Sequence, residues 1–427
     1  MAMAMAMAPQ TSEPSALVHD VCYDHHGQRV ATCSSDQMIR VFNARSGLKL
    51  AEWRAHSGSI HRLSWAHPEF GVALASCSFD RRVCVWEETT DSEEALLNSP
   101  RLTSWLKVAE ISDAVDSIVD VAFAPHRMGV ILASCGADGM VRVHEAADII
   151  DLAKWELHSE IDVASAAADS AAEARDANAA AQHAMSGGER GGEGQLGGRG
   201  PLMSTARVGD KGDKGGGDKG GGGGGGGGGG PGGGGGDAGA LGLSGGDGGG
   251  VEPMSISWST SLIDRPMLLV GCSDGSIQLW AFEDETHTWT RSRAFERAAV
   301  YSGGVRPHLD CVRSVCWAAD MGRSYQLIAS GSRDRTVKLW ALQRTPPEES
   351  GGGRAGGGEV GGEAGEWVAT CAAELTHQSQ VWRVSWNATG SMLATAEDNG
   401  TVRVFQKDAN GSWRHAAPMP GIMPGIA

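Results

Sequence analysis

The sequence predicts an all-β chain, a six-bladed β-propeller left open at one point of its ring. Three observations carry this. The stretch His56–Glu87, HSGSIHRLSWAHPEFGVALASCSFDRRVCVWE, alternates apolar and polar residues in short runs broken by turn residues at Pro68 to Gly71 and Phe79 to Arg82. Such period-two runs are the signature of short antiparallel strands. The stretch then recurs, and a unit that cannot bury both sheet faces alone needs stacked copies. Finally, the copies stop without leaving a strand that could interlock the two ends.

In chain order, an inner-strand pattern apolar-x-x-apolar-x-aromatic recurs as Val18/Val21/Tyr23, Ile60/Leu63/Trp65, Ile118/Val121/Phe123, Pro253/Ile256/Trp258, Val312/Val315/Trp317 and Val381/Val384/Trp386. In each copy a turn residue stands six places before a closing position: Asp36/Phe42, Asp80/Trp86, Asp138/His144, Asp274/Trp280, Asp334/Trp340 and Asn399/Phe405. His56, Ser76, Asp80 and Trp86 fall where a WD40 blade places its hydrogen-bonded tetrad, in which the acid holds the imidazole, the imidazole bonds the hydroxyl and the hydroxyl meets the indole N–H. His308, Ser330, Asp334 and Trp340 repeat it in the fifth copy. The sixth has His377 and Thr395 with Asn399 and Phe405, and the first and third lack the leading His. Asp138 and His144 look like an acid/base pair, yet their places are those of the blade frame.

The expected organisation is a disordered tail over 1–16, blades one to three over 17–161, an Ala/Gly-rich disordered insertion over 162–250, blade four and the inner three strands of blade five over 251–344, a Gly/Glu loop over 345–366, the end of blade five with blade six over 367–417, and a tail over 418–427. The 63 glycines concentrate in the insertions, where polyglycine has no side chain to bury and loses the most backbone entropy on ordering. Glycine-run matches to GxGxxG carry no meaning there, and no GxxxxGK[ST] follows a strand. With 36 basic against 52 acidic residues and a net charge of −16, direct nucleic-acid binding is disfavoured. No apolar run reaches bilayer length, and the start has no basic-then-apolar signal pattern. Nine cysteines, an odd number without CxxC spacing, read as core thiols of a reducing compartment; no metal and no cofactor is expected.

The first inner strand follows a low-complexity tail, and the sixth blade supplies its own outer strand near Ser412 to Ala416, so the ring lacks a latch. Two unpaired blade edges would expose apolar surface and backbone groups, which predicts completion by strands from another chain. The seam residues singled out are Val18, Asp20 and Cys22, with Asp36 and Arg40 near the rim, and Arg383, Ser385 and Arg403 of the sixth blade.

The segments VHDVCYDHHGQRVATCSSDQ, SWAHPEFGVALASCSFDR, FAPHRMGVILASCGADGMVRVHEAADIIDLAKWELHSEI, GRSYQLIASGSRD and VWRVSWNATG resemble the Seh-type nucleoporins, a branch of the WD40 family that includes the Sec-thirteen-type coat proteins. The resemblance implies an open propeller into which an α-solenoid nucleoporin inserts a blade in trans. It implies a non-enzymatic, structural role in the Y-shaped outer-ring complex of the nuclear pore, at the nuclear envelope, supporting protein and mRNA transport. It also implies sharing with a GATOR/SEA-type complex of TOR signalling at the lysosome or vacuole periphery. The alternatives are a vesicle-coat role like that of the Sec-thirteen type, and a cullin-ligase substrate receptor, whose W-D-x-R ending is approached only by Phe42-Asn43-Ala44-Arg45. The long insertion departs from the family pattern.

Overall fold

The computed structural model describes residues 16–89, 103–149, 151–167, 250–261, 263–301, 306–345, 366–408 and 410–416, all within one folded unit. Six four-stranded antiparallel meanders make up the fold. Blade one is β1–β4 (Val18–Tyr23, Arg29–Ser34, Met38–Asn43, Lys49–Arg54) and blade two is β5–β8 (Ile60–Trp65, Ala73–Ser78, Val83–Thr89, Ser104–Ile111). Blade three is β9–β12 (Ile118–Phe123, Ile131–Gly136, Met140–Ala146, Trp155–Asp162) and blade four β13–β16 (Pro253–Trp258, Met267–Cys272, Ile277–Glu283, Thr288–Ser292). Blade five is β17–β20 (Val312–Trp317, Gln326–Ser332, Thr336–Arg344, Trp367–Thr376) and blade six β21–β24 (Val381–Trp386, Met392–Glu397, Val402–Lys407, Trp413–His415).

The spacing of the inner-strand motif, three residues and then two, has a structural cause. In all six blades the register shifts between the first and third residues of the inner strand. The bulge adds one residue, so the first, fourth and sixth positions share a face and the third and fifth share the other. The first set packs on the preceding blade. Ile60, Leu63 and Trp65, for example, form one core cluster with Ala31, Cys33, Ile39 and Val41 of blade one.

Successive inner strands pack from β1 through β5, β9, β13 and β17 to β21, and among the described residues no packing of that extent joins β21 back to β1. The fourth position shows the consequence. Leu63, Val121, Ile256, Val315 and Val384 are at most 5% exposed, whereas Val21 is 52% exposed. The facing side of blade six tells the same story, because Val402 is 65% exposed where its blade-one counterpart Ile39 is fully buried. The ring is open between blades one and six.

Two features depart from the sequence reading. The insertion does not begin at 162: β12 includes Asp162, whose carboxylate caps a helical turn over 163–167 by accepting the Ser165 N–H at 2.9 Å. Val163 is buried between blades three and four, which holds the chain in place past the strand. The remainder of the insertion, 168–249, and of the second loop, 346–365, lies outside the described residues, as do the tails at 1–15 and 417–427. The second departure is a helix, α1 (Ala294–Tyr301), between blades four and five; Phe295 is buried edge-on against Trp340 at 5.3 Å between ring centres.

Candidate functional site

The polar residues that recur with the blades bond to one another within the blade. In blade two, Trp86 Nε1–H donates to Ser76 Oγ at 2.9 Å, the Ser76 hydroxyl meets His56 Nε2 at 2.8 Å, and His56 Nδ1 meets Asp80 Oδ2 at 3.0 Å. Blade five repeats the chain through Trp340, Ser330, His308 and Asp334 at 2.9, 2.7 and 2.9 Å. Both hydroxyls and both imidazoles are buried, and each hydroxyl is already engaged on both sides. Such a chain satisfies groups that would otherwise be costly inside the blade and offers no nucleophile to solvent.

Burial works to raise the pKa of Asp80, but the His56 hydrogen bond and charge and the Ser57 and Arg82 N–H groups outweigh it and hold the carboxyl down at about 2. Asp334 is lowered further by His308 and Thr336 acting in the same way. A carboxylate depressed in the folded state stabilises above its unfolded pKa, and that contribution is lost as the pH falls through the folded value. Acid titration is therefore expected to reduce stability between about pH 4 and about pH 2, with Asp80→Asn flattening that limb when followed by circular dichroism.

The other blades solve the same problem differently. In blade six His377 Nε2 meets Thr395 Oγ1 at 2.9 Å, but Nδ1 turns to the Leu375 carbonyl, and Glu397, held by Arg403 at 2.9 Å, accepts the Ser379 N–H. Asn399 serves only its own turn through the Thr401 N–H. In blade four Val270 replaces the serine, and Gln278 receives the Trp280 indole N–H at 3.1 Å. In blade three Asp138 pairs with Arg142 at 2.8 Å while His144 pairs with Asp113 at 2.9 Å, so Asp138 and His144 do not form an acid/base couple. Glu397, Gln278 and Asp113 were not singled out from sequence, because none stands at a tetrad position.

The seam is the other candidate. Its blade-one side presents Val18, Val21 and Tyr23, all more than half exposed, with Asp36 and Arg40 beside them in an ion pair at 2.6 Å that Glu52 extends at 2.7 Å. Two residues expected there face elsewhere. The bulge turns Asp20 and Cys22 toward blade two, where Asp20 Oδ2 accepts the Leu63 N–H at 3.1 Å and the Cys22 carbonyl accepts the Trp65 indole N–H at 3.3 Å. On blade six, Arg383 and Ser385 lie on the seam side, across from Ala396 and Ala394, with Val402 and Val404 continuing the face. Arg403 is the third correction: strand alternation sets it opposite Thr395, on the side toward blade five. Arg383 spans the seam at its channel end, its guanidinium 3.4 Å from Asp20.

Among the described residues no group of three His, Cys, Asp or Glu side chains is placed to hold a metal, and no helix is long and apolar enough to cross a membrane. The cysteines are free thiols; burial pushes Cys33 far above the ordinary thiol range, and Cys84 and Cys272 up to about 12.

The family described as "WD domain, G-beta repeat" matches residues 10–43, 47–87, 301–341 and 365–406. These are blades one, two, five and six; blades three and four, whose tetrads are rebuilt, are passed over. Nucleoporin SEH1-A of Xenopus laevis is 29% identical over 416 residues, covering 95% of this chain and 86% of that protein. Nucleoporin SEH1 of Homo sapiens is 29% identical with the same coverage. Nucleoporin SEH1 of Danio rerio is 29% identical over 410 residues, covering 93% of this chain and 83% of its own. A propeller with six blades and an unclosed first-to-sixth seam, with WD40 repeats matched in four of its blades, is thus similar along nearly its whole length to the SEH1 nucleoporins.

Proposed function

We propose that the protein is a non-enzymatic scaffold of the nuclear pore outer ring, joining the Y-shaped subcomplex at the nuclear envelope and thereby supporting nucleocytoplasmic transport of protein and mRNA. The seam carries this reading: a soluble chain rarely leaves an apolar strand face such as Val18, Val21 and Tyr23 opposite a second one at Val402, and a β-blade from a partner would bury both. The partner is an α-solenoid nucleoporin that donates its blade in trans. Sharing with a GATOR/SEA-type complex, and hence a contribution to TOR signalling at the lysosome or vacuole periphery, belongs to the same reading. Support comes from the SEH1 relatives and from the engagement of the recurrent polar residues within their own blades.

Fluorescent tagging of the full chain in its own cells tests it. A nuclear-rim signal, with α-solenoid nucleoporins recovered by affinity purification, is expected; Tyr23→Glu is expected to disperse the rim signal without lowering protein abundance. Puncta at endoplasmic-reticulum exit sites would favour a coat role, and recovery of a cullin adaptor in place of nucleoporins would favour a ligase receptor. Either outcome overturns the proposal.

A further inference from the structure

The contacts between neighbouring blades follow a rule that bears on the chemistry of whatever enters the seam. The third residue of an inner strand accepts the N–H of the fourth residue of the next. Asp20 accepts from Leu63 at 3.1 Å, Asp120 from Ile256 at 3.0 Å, Ser255 from Val315 at 3.2 Å and Ser314 from Val384 at 3.2 Å. Blades two and six break the rule, because arginine stands at the third position in both, as Arg62 and Arg383. A guanidinium has no acceptor to offer.

After Arg62 the next blade adjusts. Asp120 occupies its third position, accepts its neighbour Val121 N–H at 2.9 Å with Oδ1, and sets that same oxygen 3.7 Å from the Arg62 guanidinium. An arginine in one blade is thus answered by an aspartate in the following one. Arg383 has no following blade. It reaches across the seam to Asp20, which Arg62 already approaches at 3.5 Å from the other side. The fourth-position N–H of blade one, on Val21, has no side-chain acceptor among the described residues.

A strand entering between β21 and β1 parts Arg383 from Asp20. Two groups then need a partner at the same level of the channel: the Arg383 cation and the Val21 N–H. A serine at the entering third position would serve only the N–H. An acid serves both, as Asp120 does for Arg62 and Ile256.

The remaining positions follow the same logic. Ser64 and Ser257 accept sixth-position N–H groups of the next blade, from Phe123 and Trp317, both at 3.0 Å, and Ser385 holds the equivalent place on the seam. Trp65, Trp258 and Trp386 donate their indole N–H to the fifth-position carbonyl of the blade before, at 3.3, 3.0 and 3.1 Å. We infer that the seam selects an inner strand of the form apolar-x-acid-apolar-x-aromatic, with Asp or Glu at the third position paired to Arg383 and tryptophan favoured at the sixth. The inference rests on the blade-accepting reading of the seam and adds the identity of the side chain that is read.

A display library tests it. Three-stranded meanders built on residues 117–146 of this chain, with the site of Asp120 randomised, are sorted for binding to three full-length baits: wild type, Arg383→Met and Arg383→Glu. Close charge pairs across interfaces couple strongly enough that acids should be enriched over Asn by at least about tenfold on the wild type. The enrichment should fall away on Arg383→Met and pass to Lys and Arg on Arg383→Glu, the three baits having matched melting curves. Binders that show no acid preference, or the same preference on all three baits, overturn the inference and leave the seam reading intact. If no meander binds any bait, whether displayed free or linked ahead of β1 in the same full-length chain, the seam reading fails and the inference with it.

Discussion

Val21→Asp is expected to leave the melting temperature of the isolated protein within about 3 °C of wild type, whereas Leu63→Asp at the same place in the repeat is expected to unfold it. Both are fourth residues of an inner strand, and both belong to the face that packs on a preceding blade. Leu63 has that blade and is 4% exposed; Val21 does not and is 52% exposed. Placing a carboxylate at position 63 deletes a packed aliphatic side chain and buries an unpaired charge against Ala31 and Cys33, a combined cost of more than about 4 kcal/mol. At position 21 the carboxylate meets solvent, and only a few tenths of a kcal/mol of strand preference is lost, about what surface substitutions show. Thermal melts of the two variants in parallel read the difference directly. Equal destabilisation would mean that blade six closes on blade one in solution and that the ring is not open.

The same substitution should act the other way once a blade is supplied. A complex that buries Val21 would have to take the new carboxylate out of water beside apolar neighbours, so Val21→Asp is expected to weaken blade acceptance by more than about a hundredfold while the free protein stays folded. Stability and binding thus part at position 21 and fall together at position 63.

What the sequence made legible and what it did not divide along the range of the interactions. The repeats could be read because each blade satisfies its own polar groups, so that His308, Ser330, Asp334 and Trp340 stand at fixed spacings set by local strand geometry. The seam residues were harder. Counting alternately from Val18 puts Asp20 and Cys22 on its face, but the bulge moves that face to Val21 and Tyr23. The signal was present in the three-then-two spacing of the motif, which a strand without a bulge cannot produce. The ion pairs of Arg62 and Arg383 were not legible, because their partners Asp20 and Asp120 lie in other blades and no local pattern joins them. Helix α1 was missed for a related reason: it packs on Trp340, the third strand of blade four and the outer strand of blade five, and so brief an apolar pattern carries little periodicity.

Gly275→Ala is expected to destabilise the protein by about 3 kcal/mol, and Gly139→Ala by only about 1 kcal/mol. The two glycines hold the same turn position, directly after Asp274 and Asp138, with φ of +86° and +83°. Left-handed backbone alone does not demand glycine there, since Gln37, Arg81 and Arg335 take the equivalent place in blades one, two and five at φ of 71°, 67° and 67°. Space separates the two. A Cβ on Gly139 would lie 3.7 Å from the nearest heavy atom, the Ala164 Cβ, in ordinary contact. On Gly275 it would lie 2.5 Å from the His308 carbonyl oxygen and 3.1 Å from that of Asp310, both backbone atoms. His308 also donates its N–H to the Gly275 carbonyl at 3.0 Å, so the loop cannot withdraw without breaking that bond. Any relief of the clash must move His308, whose imidazole joins Asp334 to Ser330 and Trp340. The substitution should therefore reach beyond its own turn: tryptophan fluorescence is expected to report a changed Trp340 environment in Gly275→Ala and not in Gly139→Ala, and equal denaturation midpoints for the two variants would show that the turn of blade four does not position the tetrad of blade five.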